Sequence, residues 1–220
     1  PCGQLRFVTL ADQARAEASG GGVTAPSRSI RTTEVRAELR YAPGEKLVYT
    51  KQRSRPINRD APVLTLSHVG GLLGGQYRYN FTEATFFKRI WAKSWGKVDV
   101  DLRAGAQWNQ VPFPLLIMPA ANLSYVVQRG TFELINNMEF LNDRYASLDV
   151  SWDMNGKLFN RLPLIKHLKW REFLAVRALW GDLTDKNNPM LARNAGSSVL
   201  MQFPEGSYVM NPSTPYVEVA

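Results

Sequence analysis

Apolar and polar residues alternate without a break from Lys97 to Trp108. Val98, Val100, Leu102, Ala104, Ala106 and Trp108 take the even positions, and Lys97, Asp99, Asp101, Arg103, Gly105 and Gln107 the odd ones. Strand side chains point alternately to two faces, so a period of two predicts a strand with one apolar and one charged face. A helix would scatter the same charges around its circumference. The run exceeds the usual strand of about 5–6 residues and matches the roughly 9–11 residues with which a tilted strand crosses a bilayer. Trp91 and Trp95 precede it and Trp108 ends it. Trp favours the membrane–water boundary, where its ring is half buried and its N–H stays wet. A strand of a water-soluble β-sandwich alternates in the same way, so this stretch alone leaves both readings open.

The pattern recurs along the chain. Val35, Ala37, Leu39 and Tyr41 alternate with Glu34, Arg36, Glu38 and Arg40, ahead of a Pro-Gly turn at 42–45. Residues 46–51 and 63–69 predict strands, and the glycines of 70–75 a bend or bulge. From 76 to 91, Tyr77, Tyr79 and Phe81 oppose Arg78, Asn80 and Thr82. Ala146, Leu148, Val150, Trp152 and Met154 oppose Tyr145, Ser147, Asp149, Ser151 and Asp153, and this run stops at Asn155-Gly156, a tight-turn signal. Further strands are expected at 122–128, 131–141, 170–181, 199–203 and 216–220, giving about ten in hairpin order. Three prolines in 111–119 exclude a central strand and predict an apolar loop, folded into a lumen or lying on a membrane surface. Residues 158–169 mix basic and apolar side chains, which suits a membrane-surface segment or a solvated hairpin end. Residues 182–198 predict a long polar loop. A short helix is expected at 11–18, stopped by Ser19-Gly-Gly-Gly22. Residues 1–28 are otherwise a poorly defined segment, and 29–220 form the β-rich part.

The chain has 220 residues and a net charge of +8. No stretch approaches eighteen consecutive apolar residues, so no transmembrane helix is expected. The excess charge raises a nucleic-acid partner, but the basic residues form no run or single helical face and often neighbour acids. Lipid headgroup phosphates or a balanced lumen explain them as well, and nucleic acid is not expected as a partner. A single cysteine, Cys2, excludes an internal disulfide and a cysteine metal site. The chain opens without an initiator Met or leader and closes on a barely started strand, so both ends are expected to be cut.

Candidate chemistry is sparse. His68 and His167 lie about a hundred positions apart, and nothing marks a serine and an acid beside either. His68 is expected packed or facing a lumen, and His167 at the surface. Asp99 and Asp101 share a strand face and resemble paired carboxylates, but Lys97 and Arg103 flank them and favour mutual neutralisation. No spaced Asp/Asn/Gly run makes a calcium loop. No catalytic residue, cofactor, metal site or small-molecule substrate is expected.

Several phrases are specific: Arg40-Tyr-Ala-Pro-Gly-Glu-Lys46, Phe113-Pro-Leu-Leu-Ile-Met-Pro-Ala-Ala-Asn-Leu-Ser-Tyr125, Met138-Glu-Phe-Leu-Asn-Asp-Arg-Tyr-Ala-Ser147, Leu168-Lys-Trp-Arg-Glu172 and Leu183-Thr-Asp-Lys-Asn-Asn-Pro189. From about Thr32 to Ala220 the chain resembles a family of large Bacteroidota outer-membrane proteins of uncharacterised function. The resemblance implies a carboxypeptidase-regulatory-like β-sandwich upstream and a C-terminal membrane barrel, distantly similar to outer-membrane assembly and two-partner-secretion barrels. Those carry a Val-Arg-Gly-Phe/Tyr motif in a loop folded into the lumen; here Arg144-Tyr145 lies in a comparable region without the glycine.

The expected fold is all-β, an antiparallel transmembrane β-barrel with strands missing at both ends. Glu34, Arg36, Glu38, Arg40, Lys97, Asp99, Asp101, Arg103, Asp149 and Asp153 are expected to face the lumen. Val98, Val100, Leu102, Ala104, Leu148, Val150 and Trp152 are expected to face lipid, with Trp91, Trp95, Trp108, Trp170 and Trp180 at the interfaces. The expected protein is not an enzyme. It sits in the outer membrane of a Gram-negative bacterium and serves transport or assembly, with lipid, lipopolysaccharide and other envelope proteins as partners. The alternatives are a soluble periplasmic or surface β-module holding glycan on aromatic side chains, and an enzyme with a lumen-facing site at His68 or His167.

Overall fold

The computed structural model describes residues 9–18, 32–71, 78–123, 128, 130–163 and 165–220. The bend expected at 72–75, Tyr77 and most of the strand expected at 122–128 lie outside the described residues.

Seven strands form one antiparallel sheet in the order β1 (Val35–Tyr41), β4 (Val63–Gly71), β5 (Tyr79–Trp91), β6 (Lys97–Gln107), β7 (Arg144–Asp153), β8 (Phe173–Asp182) and β9 (Tyr216–Val219). Every neighbour in the sheet is the next sheet strand in the chain, so the topology is a plain meander. A short hairpin of β2 (Leu47–Tyr49) and β3 (Ser54–Pro56) stands in the connection between β1 and β4. The helix α1 (Leu10–Ala18) docks on a later connection through the Leu10 N–H to the Leu200 carbonyl, 2.9 Å. Strands β5 to β8 have 13, 11, 10 and 10 residues, each long enough to cross a bilayer at a tilt.

Several expectations are corrected. The sheet is open: among the described residues β1 and β9 do not pair, so no closed barrel is present. Residues 131–141 contain isolated bridges in place of a strand, because Phe132, Ile135 and Leu141 turn inward to pack with other connections. The strand expected at 199–203 is one bridge, Thr9 to Met201. The strand expected at 46–51 shrinks to β2, and β3 follows it at Ser54–Pro56. In the segment 158–169, for which the sequence left two readings open, the described residues include 3-10 turns at Phe159–Arg161 and Ile165–Leu168.

The register settles which residues share a face. One row runs Leu39, Leu66, Ala84, Ala104, Ala146, Trp180; the next runs Tyr41, Leu64, Phe86, Leu102, Leu148, Ala178, Val217. A third runs Lys88, Val100, Val150, Val176, Val219. These rows make one almost wholly apolar face. Its exceptions lie towards the strand ends: Lys88 sends its Nζ to the Asp60 carbonyl at 2.8 Å, while Arg144 and Asp182 sit together at the opposite end. His68 also falls on this face, contrary to expectation, where its Nδ1 lies 2.9 Å from the Thr82 hydroxyl.

The hydrophobic core lies on the other side. The connections 108–143 and 183–215 fold over the charged face near one end of the sheet. Val111, Phe113, Leu116, Leu141, Leu183 and Met201 form one cluster; Phe132, Ile135, Leu179 and Met210 form a second.

Candidate functional site

The sheet is inverted relative to a water-soluble domain. Large apolar side chains on one face are open: Leu39 is 73% exposed, Val219 66% and Leu102 42%. Polar side chains on the other are buried, including Ser67, Asp99, Gln107, Arg177 and Glu218. Monomeric soluble proteins seldom expose a contiguous apolar patch beyond a few hundred Å². Small residues in the middle of this one, Ala84, Ala104, Ala146 and Ala178, leave a shallow apolar hollow between Phe86, Leu102 and Trp180.

All the strand charges expected to line a lumen share the charged face: Arg36, Glu38 and Arg40 on β1, Lys97, Asp99, Asp101 and Arg103 on β6, Asp149 and Asp153 on β7. Glu34 lies just ahead of β1. Val98, Val100, Leu102, Ala104, Leu148, Val150 and Trp152 share the apolar face. The neutralisation expected around Asp99 and Asp101 occurs with a different partner for Asp99. Arg89 holds Asp99 in a bidentate pair at 2.6 and 2.7 Å, Arg103 holds Asp101 at 3.1 and 2.8 Å, and Lys97 reaches Asp153 at 3.5 Å.

The tryptophans divide between the two ends. Trp91, Trp95 and Trp170 lie at the end of the β5–β6 and β7–β8 turns. The Trp91 indole N–H donates to the Asp60 carboxylate, and the Trp95 ring lies 6.2 Å from that of Trp152. Trp108 and Trp180 lie towards the other end, with indole N–H bonds to the Thr82 hydroxyl at 2.9 Å and the Pro212 carbonyl at 2.7 Å.

Residues not anticipated from the sequence fasten the connections to the charged face. Arg177, on β8, is buried and donates from Nη1 to Glu133 Oε1 at 2.9 Å and Glu218 Oε1 at 3.0 Å, with Nε 3.4 Å from Asp149. Glu133 belongs to the connection 108–143, so this contact ties that connection to three strands of the sheet, β7, β8 and β9. Glu218 also accepts the backbone N–H of Glu133 through both oxygens at 3.1 Å. Tyr145 donates to Glu83 across Gly105, the small residue that leaves room for its ring. A second knot joins the two long connections. Asp143 accepts the Thr184 N–H at 3.0 Å and the Asn187 amide at 2.9 Å, and Asn187 accepts the Val111 N–H at 3.0 Å. Asp143, Asn142 and Asn187 are fully buried. A usable signal for Arg177 was its position, the one charge within the apolar run 173–181 of β8.

A cavity of about 230 Å³ remains between sheet and connection, bounded by Glu83, Arg103, Asp149 and Arg177 on one side and Met118, Pro119 and Phe132 on the other. Among the described residues no group of three His, Cys, Asp or Glu could hold a metal ion, and no helix is long and apolar enough to cross a membrane.

A family model described as "Family of unknown function (DUF5686) C-terminal domain" matches residues 22–188. The chain belongs to this family. No curated protein and no solved structure matches it. In this DUF5686 C-terminal domain the matched residues include β1 to β8 and the connection 108–143, so the bare apolar face and most of the covered charged face lie within the family's extent.

The packing of that connection gives a direct test. A methyl group on Gly181 would overlap the buried side chain of Asn142. Gly181→Ala is expected to lower the unfolding free energy of the DUF5686 C-terminal domain by about 1–3 kcal/mol, measured by chemical denaturation. Gly196→Ala, where the added carbon meets open space, is the control.

Proposed function

We propose that this chain is part of the wall of a transmembrane β-barrel in the outer membrane of a Gram-negative bacterium. Its apolar face meets lipid and its charged face meets a lumen filled by the connection 108–143. The observation that carries this reading is the facing of the central strands, where Asp99, Arg177 and Glu218 are buried on the charged face while Leu64, Leu66, Ile90 and Leu102 are left bare on the other. In water such a band is costly, since each large apolar side chain left exposed forgoes roughly 1.5–3 kcal/mol. In hydrocarbon it needs no cover. Backbone groups in lipid must all be paired, so the open edges at β1 and β9 require further strands to close the barrel. The wall itself does no covalent chemistry. Transport or assembly is the activity class, and with the charged face filled, passage requires the 108–143 connection to move.

Single cysteines at Val98 through Arg103 in the full-length protein, in a Cys2→Ser background, test the facing. A lipid-soluble thiol reagent is expected to label 98, 100 and 102 and to miss 99, 101 and 103. Labelling of 98, 100 and 102 by a water-soluble reagent, with none from the lipid side, would overturn the barrel wall and favour a soluble β-module.

A further inference from the structure

The sequence disperses its cations, but the fold gathers them. Because the sheet is a meander, β1, β5 and β7 finish at one end and lead into 42–62, 92–96 and 154–172, whereas β4, β6 and β8 finish at the other and lead into 72–78, 108–143 and 183–215. The first set carries eleven Lys and Arg against three Asp and Glu; the second carries four against five. The whole net charge of +8 is therefore matched by the connections at a single rim.

Six of these eleven cations are not spent inside the fold. Lys51, Arg53 and Arg55 on the β2–β3 hairpin and Lys166, Lys169 and Arg171 beside β8 are exposed and form no ion pair among the described residues. They are interleaved with apolar side chains that are also open to solvent: Trp91, Trp170, Leu162 and Leu168. The turn ahead of the second group is tied back to β8 by the Phe159 backbone N–H, which donates to the Glu172 carboxylate. Burial pushes the Glu172 carboxyl up, but backbone N–H groups of Phe159, Leu158 and Gly156 outweigh it and hold the carboxyl below its ordinary range. The turn therefore closes around a charged Glu172, and the Phe159 ring meets Trp170 edge-on at 6.3 Å.

We infer that this rim is a binding surface for the phosphates of anionic phospholipid headgroups, which holds the barrel at a set depth and orientation. The inference rests on the membrane reading above. A nucleic acid would need cations on a face it could approach. Here Lys166, Lys169 and Arg171 lie along the chain among the exposed Leu162, Leu168 and Trp170, just ahead of β8, which is the composition of a headgroup-level surface. Basic side chains at that level are drawn to an anionic leaflet. The opposite rim, with its near-neutral connections, has no such preference.

The test uses the full-length protein reconstituted in phosphatidylcholine vesicles that contain traces of spin-labelled phosphatidylglycerol or spin-labelled phosphatidylcholine. Insertion is scored separately by vesicle flotation. The expected result is insertion into both vesicle types, with the motionally restricted fraction favouring phosphatidylglycerol and that preference falling as salt rises. In Lys166→Gln/Lys169→Gln/Arg171→Gln the preference is expected to fall towards equal selection of the two lipids, while Lys166→Arg/Lys169→Arg retains it. Should the triple variant misfold, Arg53→Gln/Arg55→Gln on the separate hairpin is expected to give a smaller loss in the same direction. Insertion with equal selection of the two lipids would overturn the rim and leave the barrel wall standing. Failure to insert into any vesicle would overturn the wall, and the rim with it. A preference for phosphatidylglycerol that no rim variant changes would place the anion site elsewhere and overturn the assignment.

Discussion

Leu102→Arg is expected to lower the stability of the bilayer-inserted protein by about 2–4 kcal/mol, the cost of a cation on the lipid face near the midplane of a membrane barrel. Leu102 lies in the middle of the apolar face, between Phe86 and Leu148 in the row that starts at Tyr41 and ends at Val217. Its side chain is already 42% exposed, so Arg meets no steric obstacle. The magnitude therefore depends on the solvent beyond the face. In water the guanidinium is hydrated, and the substitution changes stability by no more than about 0.5 kcal/mol, as for other surface positions. In hydrocarbon it has no partner within reach. Urea unfolding of the protein in vesicles, monitored by Trp fluorescence, separates the two. A loss near 3 kcal/mol supports lipid contact, and a change within 0.5 kcal/mol refutes it. Arg103→Leu on the charged face is the paired control. It breaks the contact with Asp101 but adds no charge to the apolar face.

The strands that this test addresses were legible because the signal is local. In 97–107 and 145–153 the facing follows from a period of two and needs no partner, and the register of β6 with β7 then aligns Val100 with Val150 and Leu102 with Leu148. What covers the charged face was not legible. Phe132, Ile135 and Leu141 alternate poorly with their neighbours yet contain enough apolar residues to resemble strands. Their burial against Leu179, Met210 and Met201 is a tertiary choice made across 44 to 78 residues of chain. Glu133 looks like an ordinary surface charge in sequence, and Arg177 stands out only as the one charge in the apolar run 173–181; the fold of 108–143 over β8 makes them partners. His68 was misjudged for a related reason. A lone His in an apolar strand suggests an inward position, but its row also holds Thr82, and the pair forms a polar spot beside the Trp108 N–H at the margin of the apolar face. The charge asymmetry was hidden because it depends on which connections share an end, and strand order decides that.

Arg177→Met is expected to have the largest effect of any single change, about 3–5 kcal/mol. Arg177 is buried, with its side chain 7% exposed, and it bridges Glu133, Asp149 and Glu218. Removing it leaves three carboxylates facing one another in a poorly hydrated space. The loss then comes from uncompensated charge more than from any contact forgone. Arg177→Met/Glu133→Gln/Glu218→Gln removes most of that charge with little change in volume and is expected to recover much of the stability. If the triple variant is no more stable than the single one, the loss is one of packing. Glu133→Gln alone isolates the tie to the connection. Arg177 keeps Asp149 and Glu218, so the wall is expected to lose only about 1 kcal/mol, while the connection loses its charged anchor. In planar bilayers the full-length protein is expected to show rare, brief conductance steps, and Glu133→Gln more frequent ones, because the charged face is cleared more often. A Glu133→Gln protein as closed as the parent, with unchanged protease resistance in 130–143, would mean that the Asp143–Asn187 knot holds the connection without help from Arg177.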